Sequence, residues 1–314
     1  MTESDTLPSR AAAVRVRRRG RHGAPALLLA PFFALFTAVM LVPIGYAVYL
    51  SLFTERRSGL GFGAAETVFT GLSNYARALG DGAYLTGFLT VAQYCLIYIP
   101  LMLGLSLIMA LLLDSVLARA KRFFQLALFL PHAVPGIIAA LIWTYLYTPG
   151  ISPVISALDS AGAGLNLLGH PLPAVVNMAV WEWTGYNMVI FYAALQAIPR
   201  EVLEAAVVDG ANPLRTALSI KIPLVRASIA MVGMFTVIGS LQLFTEPMIL
   251  RTTAPAVVSS WTPNMYAYTA AFERNDYGLA AASSVLLALV AAALSFIVTR
   301  ISRDRSESRT ESTS

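Results

Sequence analysis

Six stretches of the chain, at about residues 25–52, 85–113, 124–148, 174–197, 227–250 and 279–300, are apolar and nearly uncharged. Each has the length of a helix that crosses a bilayer, since about 20 apolar residues at 1.5 Å per residue span roughly 30 Å of hydrocarbon. Within lipid every backbone N–H and C=O must find a partner inside the segment, so windows this long predict helices. The short alternating strands of an outer-membrane barrel are absent from the pattern. Composition agrees: 57% of residues are hydrophobic and 12% are charged, against about 25% charged in ordinary soluble proteins. The expected fold class is all-α, a polytopic membrane protein with about six transmembrane helices.

Orientation follows from the basic residues, because Lys and Arg near span ends stay on the cytoplasmic side. With a cytoplasmic N-terminus, seventeen of the 22 Lys and Arg residues fall inside, in the two tails and in the second and fourth connections. Five remain outside, Arg56, Arg57, Arg77, Arg251 and Arg274. The resulting organisation is a basic cytoplasmic tail at 1–24, a transmembrane region at 25–300 with a cytoplasmic loop at about 199–224, and a cytoplasmic C-terminal tail at 301–314. The multi-pass chain belongs in the cytoplasmic membrane, with lipid as its constant partner and both termini inside.

Several function classes are excluded. The run RAAAVRVRRRGRH reads as a topology signal and not as a nucleic-acid site, since no aromatic residue is interleaved for base stacking. The first apolar window is too long for a cleaved signal peptide. Cys95 is the one cysteine, inside the second span, and His22, His132 and His170 are scattered, so no disulfide, metal set or cofactor is expected. No G-x-x-x-x-G-K-[ST] run occurs, so the chain carries no phosphate-cradling loop of its own. No catalytic residue is expected.

The stretch LEAAVVDGANPLRTALSIKIPLV, from Leu203 to Val225, interrupts this lipid-compatible pattern. Pro199 closes the fourth span, and Glu201 and Glu204 then suit the first turns of a new helix, where negative charge complements the dipole. Asp209 and Gly210 stop that helix. Asn212 followed by Pro213 is an N-cap with a first-turn proline, which starts a second helix that Pro223 is expected to end. Leu203, Ala206 and Val207 fall on one face of the first helix. Surface-lying membrane helices favour Lys with bulky apolar residues. Small Ala and Val beside acidic groups suit docking to a protein partner instead.

With Glu204, Ala205, Ala206, Asp209, Gly210, Ala211, Ile220 and Pro223 in place, this stretch resembles the EAA motif of ABC-importer permeases, E-A-A-x-x-D-G-A-x-x-x-x-x-F-x-x-I-x-x-P. Ala217 stands where the motif has Phe. The wider chain, from about residue 27 to residue 300, is similar to the carbohydrate (maltose-type) branch. The similarity runs through GLSNYARAL, LFLPHAVPGIIAALIWTYLYTP, ALQAIP, LFTEPMIL and AFERNDYGLAAASSV. Thr253, Ala254 and Pro255 replace the Gly-Gly-Pro often found after the fifth helix. The resemblance implies a type I ABC importer permease fold and a transport subunit that is not itself an enzyme. It further implies a second permease, two cytoplasmic ATPase subunits docked on the EAA loop, and an extracytoplasmic solute-binding protein. A basic residue of the ATPase would meet Glu204, and ATP-driven closure would swing the permease between inward-open and outward-open states to import a sugar or oligosaccharide.

Polar residues within spans are costly and point to a solute path. Glu182 is placed about 12 Å below the outer edge of the fourth span, with Tyr186 expected on the same face one turn deeper. Trp181, Trp183 and Asn187 surround them in sequence. Gln242 and Glu246 form an i, i+4 pair on the fifth span. On the second, Gln93, Tyr94 and Tyr98 could line the same path, with a kink expected at Pro100. Planar polar groups and aromatic faces are what a sugar requires. No Lys or Arg lies inside a span, which argues for a neutral or cationic solute. Pro131 and Pro135 flank His132 and predict a bend in the third span. The alternatives are a permease for a polyol, glycerol phosphate or peptide, a secondary carrier, which would show an inverted repeat, and an intramembrane enzyme, which would need a nucleophile with its base.

Overall fold

The computed structural model describes residues 23–57, 65–115, 119–162, 164 and 166–310. The basic run at 10–22 and the last four residues lie outside them. The chain divides into two compact units, residues 1–46 and 47–314. The first holds α1 (Gly23–Phe36), a wide π turn at Thr37–Leu41 and the start of α2 (Val42–Ser51). Leu27–Ser51 is one uninterrupted apolar helix of 25 residues, long enough to cross a membrane.

In the second unit, the end of α2 leads into an antiparallel hairpin, β1 (Phe53–Arg57) and β2 (Ala65–Phe69), with Phe53 opposite Phe69 and Glu55 opposite Thr67. The hairpin was not foreseen in the sequence; it lies in the first connection, outside the apolar windows. Next come α3 (Ser73–Gly80) and the long α4 (Gly82–Asp114), helical straight through Pro100. Asp81 caps α4 by accepting from the Ala83 N–H.

The third apolar window is not one helix. It comprises α5 (Lys121–Phe129), a 3-10 turn at Leu130–Ala133 and α6 (Gly136–Tyr147), and the two α-helical pieces meet at 92°. The reason is local. Proline disfavours helical backbone in the residue before it, and Val134 (ψ 128°) and Pro135 (ψ 130°) are both extended, so the chain turns a corner there. The expected bend is therefore a complete break. The short α7 (Pro153–Ser160) precedes α8 (Pro171–Gln196), whose 26 residues suffice to span. Its cluster Asn177, Trp181, Glu182, Trp183, Tyr186 and Asn187 makes it less apolar than the four helices that, among the described residues, meet both criteria for a span, length and hydropathy.

The expected cytoplasmic loop forms α9 (Arg200–Val208), α10 (Pro213–Thr216), a π turn at Ala217–Lys221 and α11 (Ile222–Leu224). Pro223 does not end the helix. The Ile222 N–H reaches back five residues to the Ala217 carbonyl, and this wider turn carries helical backbone past the proline to Leu224. The fifth window is α12 (Arg226–Leu241) and α13 (Thr245–Leu250), separated at Gln242–Phe244. Then follow α14 (Pro263–Tyr268), a π turn at Thr269–Glu273 and α15 (Tyr277–Thr310), which runs ten residues beyond the expected 300.

The core lies where α4 meets α8. Tyr94, Tyr98, Met102, Ser106 and Ala110 recur every fourth residue on α4 and are all buried, against Met188, Phe191 and Leu195 of α8. Ser106 donates to the Thr184 carbonyl at 2.9 Å, a polar tie of the kind that holds helices together in lipid. The opposite face of α4 exposes Leu89, Leu96, Leu101 and Ile108, as lipid-facing residues do.

Polar contacts mark the two ends of this unit. At the hairpin end, buried Asn74 donates to the Ser51 and Phe53 carbonyls at 2.9 Å each, and Arg77 pairs with Asp276 at 2.6 Å. There Tyr266 donates to Asp81 at 2.7 Å, and burial followed by that carboxylate pushes the phenol up to about 12. At the other end, the Asp114 carboxylate accepts from Gln196 and pairs with Lys221. The end of α4, the end of α8 and the loop are thereby joined.

Candidate functional site

Two arrangements carry the sequence-predicted residues. The first is the loop from Pro199 to Leu224. Gly210 has φ +78°, a backbone state that an L side chain rarely adopts, so the turn after α9 requires glycine. The Ala211 N–H returns to the Ala206 carbonyl at 2.9 Å, and Asn212 caps α10 by accepting from Arg215 N–H at 2.8 Å. Both helix ends are thus satisfied internally and the loop is a preformed knob. Ala206 is buried, Leu203, Ala211 and Ile220 are half-buried, and Glu204, Ala205, Asp209, Gly210 and Pro223 are exposed. The face expected to contain Leu203, Ala206 and Val207 is split, because Val207 points outward. Val207, Val208, Leu214 and Leu218 are apolar side chains that are each 56–87% exposed.

The second arrangement is a cavity of about 270 Å³ between α4, α8, α12 and α13. Tyr94 and Tyr98, stacked with ring centroids 4.9 Å apart, form its α4 wall. Trp183, Tyr186 and Asn187 form its α8 wall, and Asn187 is held by its own helix through the Trp183 carbonyl at 3.0 Å. From the break in the third span, His132 packs against Trp183 and Tyr186 at 4.6 and 4.5 Å, so the corner of the broken span supports the aromatic wall.

The remaining walls come from the second break. Gln242 and Glu246 both line the cavity, yet they are not neighbours on one helix face: Gln242 lies in the gap between α12 and α13, and Glu246 in the first turn of α13. Phe235, Thr236, Ser240, Phe244 and Thr245 line it too and were missed in the sequence. The signal for two of them was present. Thr236 and Ser240 stand one turn apart, each hydroxyl donating to the carbonyl four residues back, which leaves oxygen lone pairs for a ligand.

Three predicted path residues stand elsewhere. Gln93 is exposed, on a different side of α4 from buried Tyr94 and Tyr98. Trp181 packs edge-on against Trp143, with centroids 5.8 Å apart. Glu182 does not share the position of Tyr186. It is 8% exposed and turned toward the start of α6, where a Cβ built on Gly136 would lie 3.6 Å from its Oε1. It nevertheless stays within Coulombic range of Glu246, Tyr94 and Tyr98. Among the described residues no group of His, Cys, Asp and Glu could hold a metal ion.

A helical membrane bundle with a polar, aromatic cavity at span depth and a rigid knob at one end has the build of a permease subunit. Residues 102–311 match the family described as binding-protein-dependent transport system inner membrane component. The chain is 34% identical over 280 residues to the sn-glycerol-3-phosphate transport system permease protein UgpA of Yersinia pseudotuberculosis, covering 87% of this chain and 92% of that one. It is likewise 34% identical over 270 residues to UgpA of Salmonella typhimurium, covering 84% and 88%. Its fold matches a bacterial ABC transporter involved in the import of the acidic polysaccharide alginate, with a TM-score of 0.77, 18% identity, and 89% and 95% of the two chains covered. A second structure of a bacterial alginate ABC transporter, in complex with an alginate pentasaccharide-bound periplasmic protein, gives a TM-score of 0.76 at 17% identity. The chain belongs to the family of binding-protein-dependent inner membrane components. It is a multi-pass transport subunit, not an enzyme, and as a component of such a system it works with a solute-binding protein and further subunits.

Proposed function

We propose that the chain is one of two permease subunits of an ATP-driven importer for a sugar or oligosaccharide, coupled to two cytoplasmic ATPases through the knob at 199–224. The observation that carries this reading is the knob itself. Its turn and caps are satisfied internally, and its exposed surface combines Glu204 and Asp209 with the apolar side chains of Val207, Val208, Leu214 and Leu218. Exposed apolar surface of this kind is covered by a partner. Lys221 ties it to Asp114 at the end of α4, whose buried stripe leads to Tyr98 and Tyr94 in the cavity. Displacement of the knob therefore reaches the solute walls through packed elements.

Stacking aromatics, an amide pair, hydroxyls and one carboxylate suit a hydroxyl-rich ring, and the volume is at the small end for a ligand site, about one sugar unit at a time. The UgpA relatives support a second reading, a phosphorylated polyol. Against it weighs a cavity that, among the described residues, is lined by no Lys or Arg. The seventeen-to-five division of basic residues supports a cytoplasmic knob and termini. In the assembled complex, Glu204→Ala should leave the subunit in the membrane and abolish binding-protein-dependent uptake, read as radiolabelled sugar accumulated per ATP hydrolysed. Unchanged uptake would refute the coupling role.

A further inference from the structure

We propose that the cavity excludes negatively charged solutes, with Glu246 and Glu182 setting its sign, and that its solute is hydroxyl-rich and either neutral or positively charged. The proposal deepens the reading of this cavity as the solute path. Among the described residues Glu246 is the one charged residue lining the cavity, and Glu182, buried on α8, lies within Coulombic range of it. Among the described residues no Lys or Arg lines the cavity to offset them. Among the described residues, the other titratable groups around the pair are Tyr94 and Tyr98 from α4, Tyr186 from α8 and His132 from the broken third span. Neutral phenols supply hydrogen bonds and no positive charge, and His132 is separated from the cavity by the rings of Trp183 and Tyr186.

An ionised carboxylate with no cation beside it in a low-dielectric cleft raises the local concentration of cations and lowers that of anions, by about tenfold or more. A sugar phosphate or uronate entering here would have to surrender its hydration without meeting a cation. A neutral sugar loses nothing comparable, because a carboxyl group accepts from hydroxyls in either protonation state. An amino sugar would gain an ion pair. Glu246 is thus a specificity-determining residue that touches the solute, and Glu182 acts on it through the field.

The charge of the cavity can be read without knowing the solute. Thr236 lines the cavity on α12, half-buried, and Cys95 faces an apolar groove on another side of α4. In the assembled complex carrying Cys95→Ala and Thr236→Cys, rates of modification are measured at about pH 8, where histidine is ordinarily neutral. The probes are methanethiosulfonates bearing a quaternary ammonium or a sulfonate, each normalised to its rate with a free thiol. The ammonium reagent should react at least about tenfold faster. Glu246→Gln should narrow the ratio severalfold, and Glu182→Gln by less. Equal rates, a preference for the sulfonate, or a ratio untouched by Glu246→Gln would overturn the proposal. Failure of both reagents to react would overturn the cavity's role as a water-filled solute path as well. Reaction without charge preference would sink the charge inference alone. Because Glu246 is half-buried while Glu182 is buried, a folding defect confined to Glu182→Gln leaves the decisive comparison intact.

Discussion

At Gly185 the backbone of α8 runs against the Leu128 carbonyl of α5, and a Cβ added there would overlap that oxygen. The neighbour is backbone, which no rotamer change can move aside. Gly185→Ala should therefore push α5 away from α8 and destabilise the subunit by about 1–3 kcal/mol, the usual cost of overpacking. Gly104→Ala on α4, where nothing lies within 4 Å, should be neutral or slightly stabilising. Thermal unfolding of the two purified variants in detergent checks the contrast; equal midpoints would mean that α5 and α8 do not meet at Gly185. Nothing in a single sequence marks one glycine as essential and the other as spare, since the difference lies in a neighbour 57 positions away in the chain. The same limit explains the path residues. Periodicity pairs Tyr94 with Tyr98 correctly, but Gln93 stands about 100° around the helix from Tyr94. Glu182 and Tyr186 do share nominal spacing, yet their side chains diverge, one toward Gly136 and the other into the cavity.

Between elements, the junction most exposed to test is Asp114. Its carboxylate takes Gln196 at the end of α8 and Lys221 in the knob, so a single side chain at the end of α4 joins the three elements that connect the knob to the cavity. The Asp114 and Lys221 side chains are only 9% and 16% exposed. Removing one member of a buried pair costs about 3–5 kcal/mol, and the residual water contact here places the loss at the lower end. Asp114→Asn should keep the hydrogen bond to Gln196, lose the ion pair, and lower uptake relative to ATP hydrolysis severalfold. The reversed pair, Asp114→Lys with Lys221→Asp, should restore part of the coupling. Loss of ATP hydrolysis and uptake in equal proportion would show a merely structural role. Elements were legible where local chemistry decides them: the Asn212 cap, the Gly210 turn and the long spans follow from the residues themselves. The breaks were only half legible. Pro131 and Pro135 mark where the third span yields, but the partner against which its second half packs, α13, lies about a hundred residues further along the chain. The gap at Gln242–Phe244 has no proline inside it, so the fifth window reads as continuous.

Across the whole transport unit, the polar groups collect at two poles, and the fold assigns its loops to them without reference to any charge count. Asp114, Gln196, Lys221 and the knob share one pole, while the hairpin, Arg77, Asp81, Tyr266 and Asp276 share the other. Counting basic residues argues for a cytoplasmic knob, and that inference concerns a membrane, which packing alone does not orient. Two positions decide it. Val208 on the knob is 87% exposed, and Phe272, beside the Arg251–Glu273 pair, is 69% exposed. In a Cys95→Ala background, Val208→Cys should be labelled by a membrane-impermeant maleimide only in inverted vesicles. Phe272→Cys should be labelled only in right-side-out vesicles. The two sites must respond oppositely, because a rigid bundle whose second span runs unbroken from Gly82 to Asp114 cannot present both poles to one side. Labelling of Val208→Cys from outside the cell would place the knob beyond the reach of any nucleotide-hydrolysing partner, and the coupling reading would fall with it.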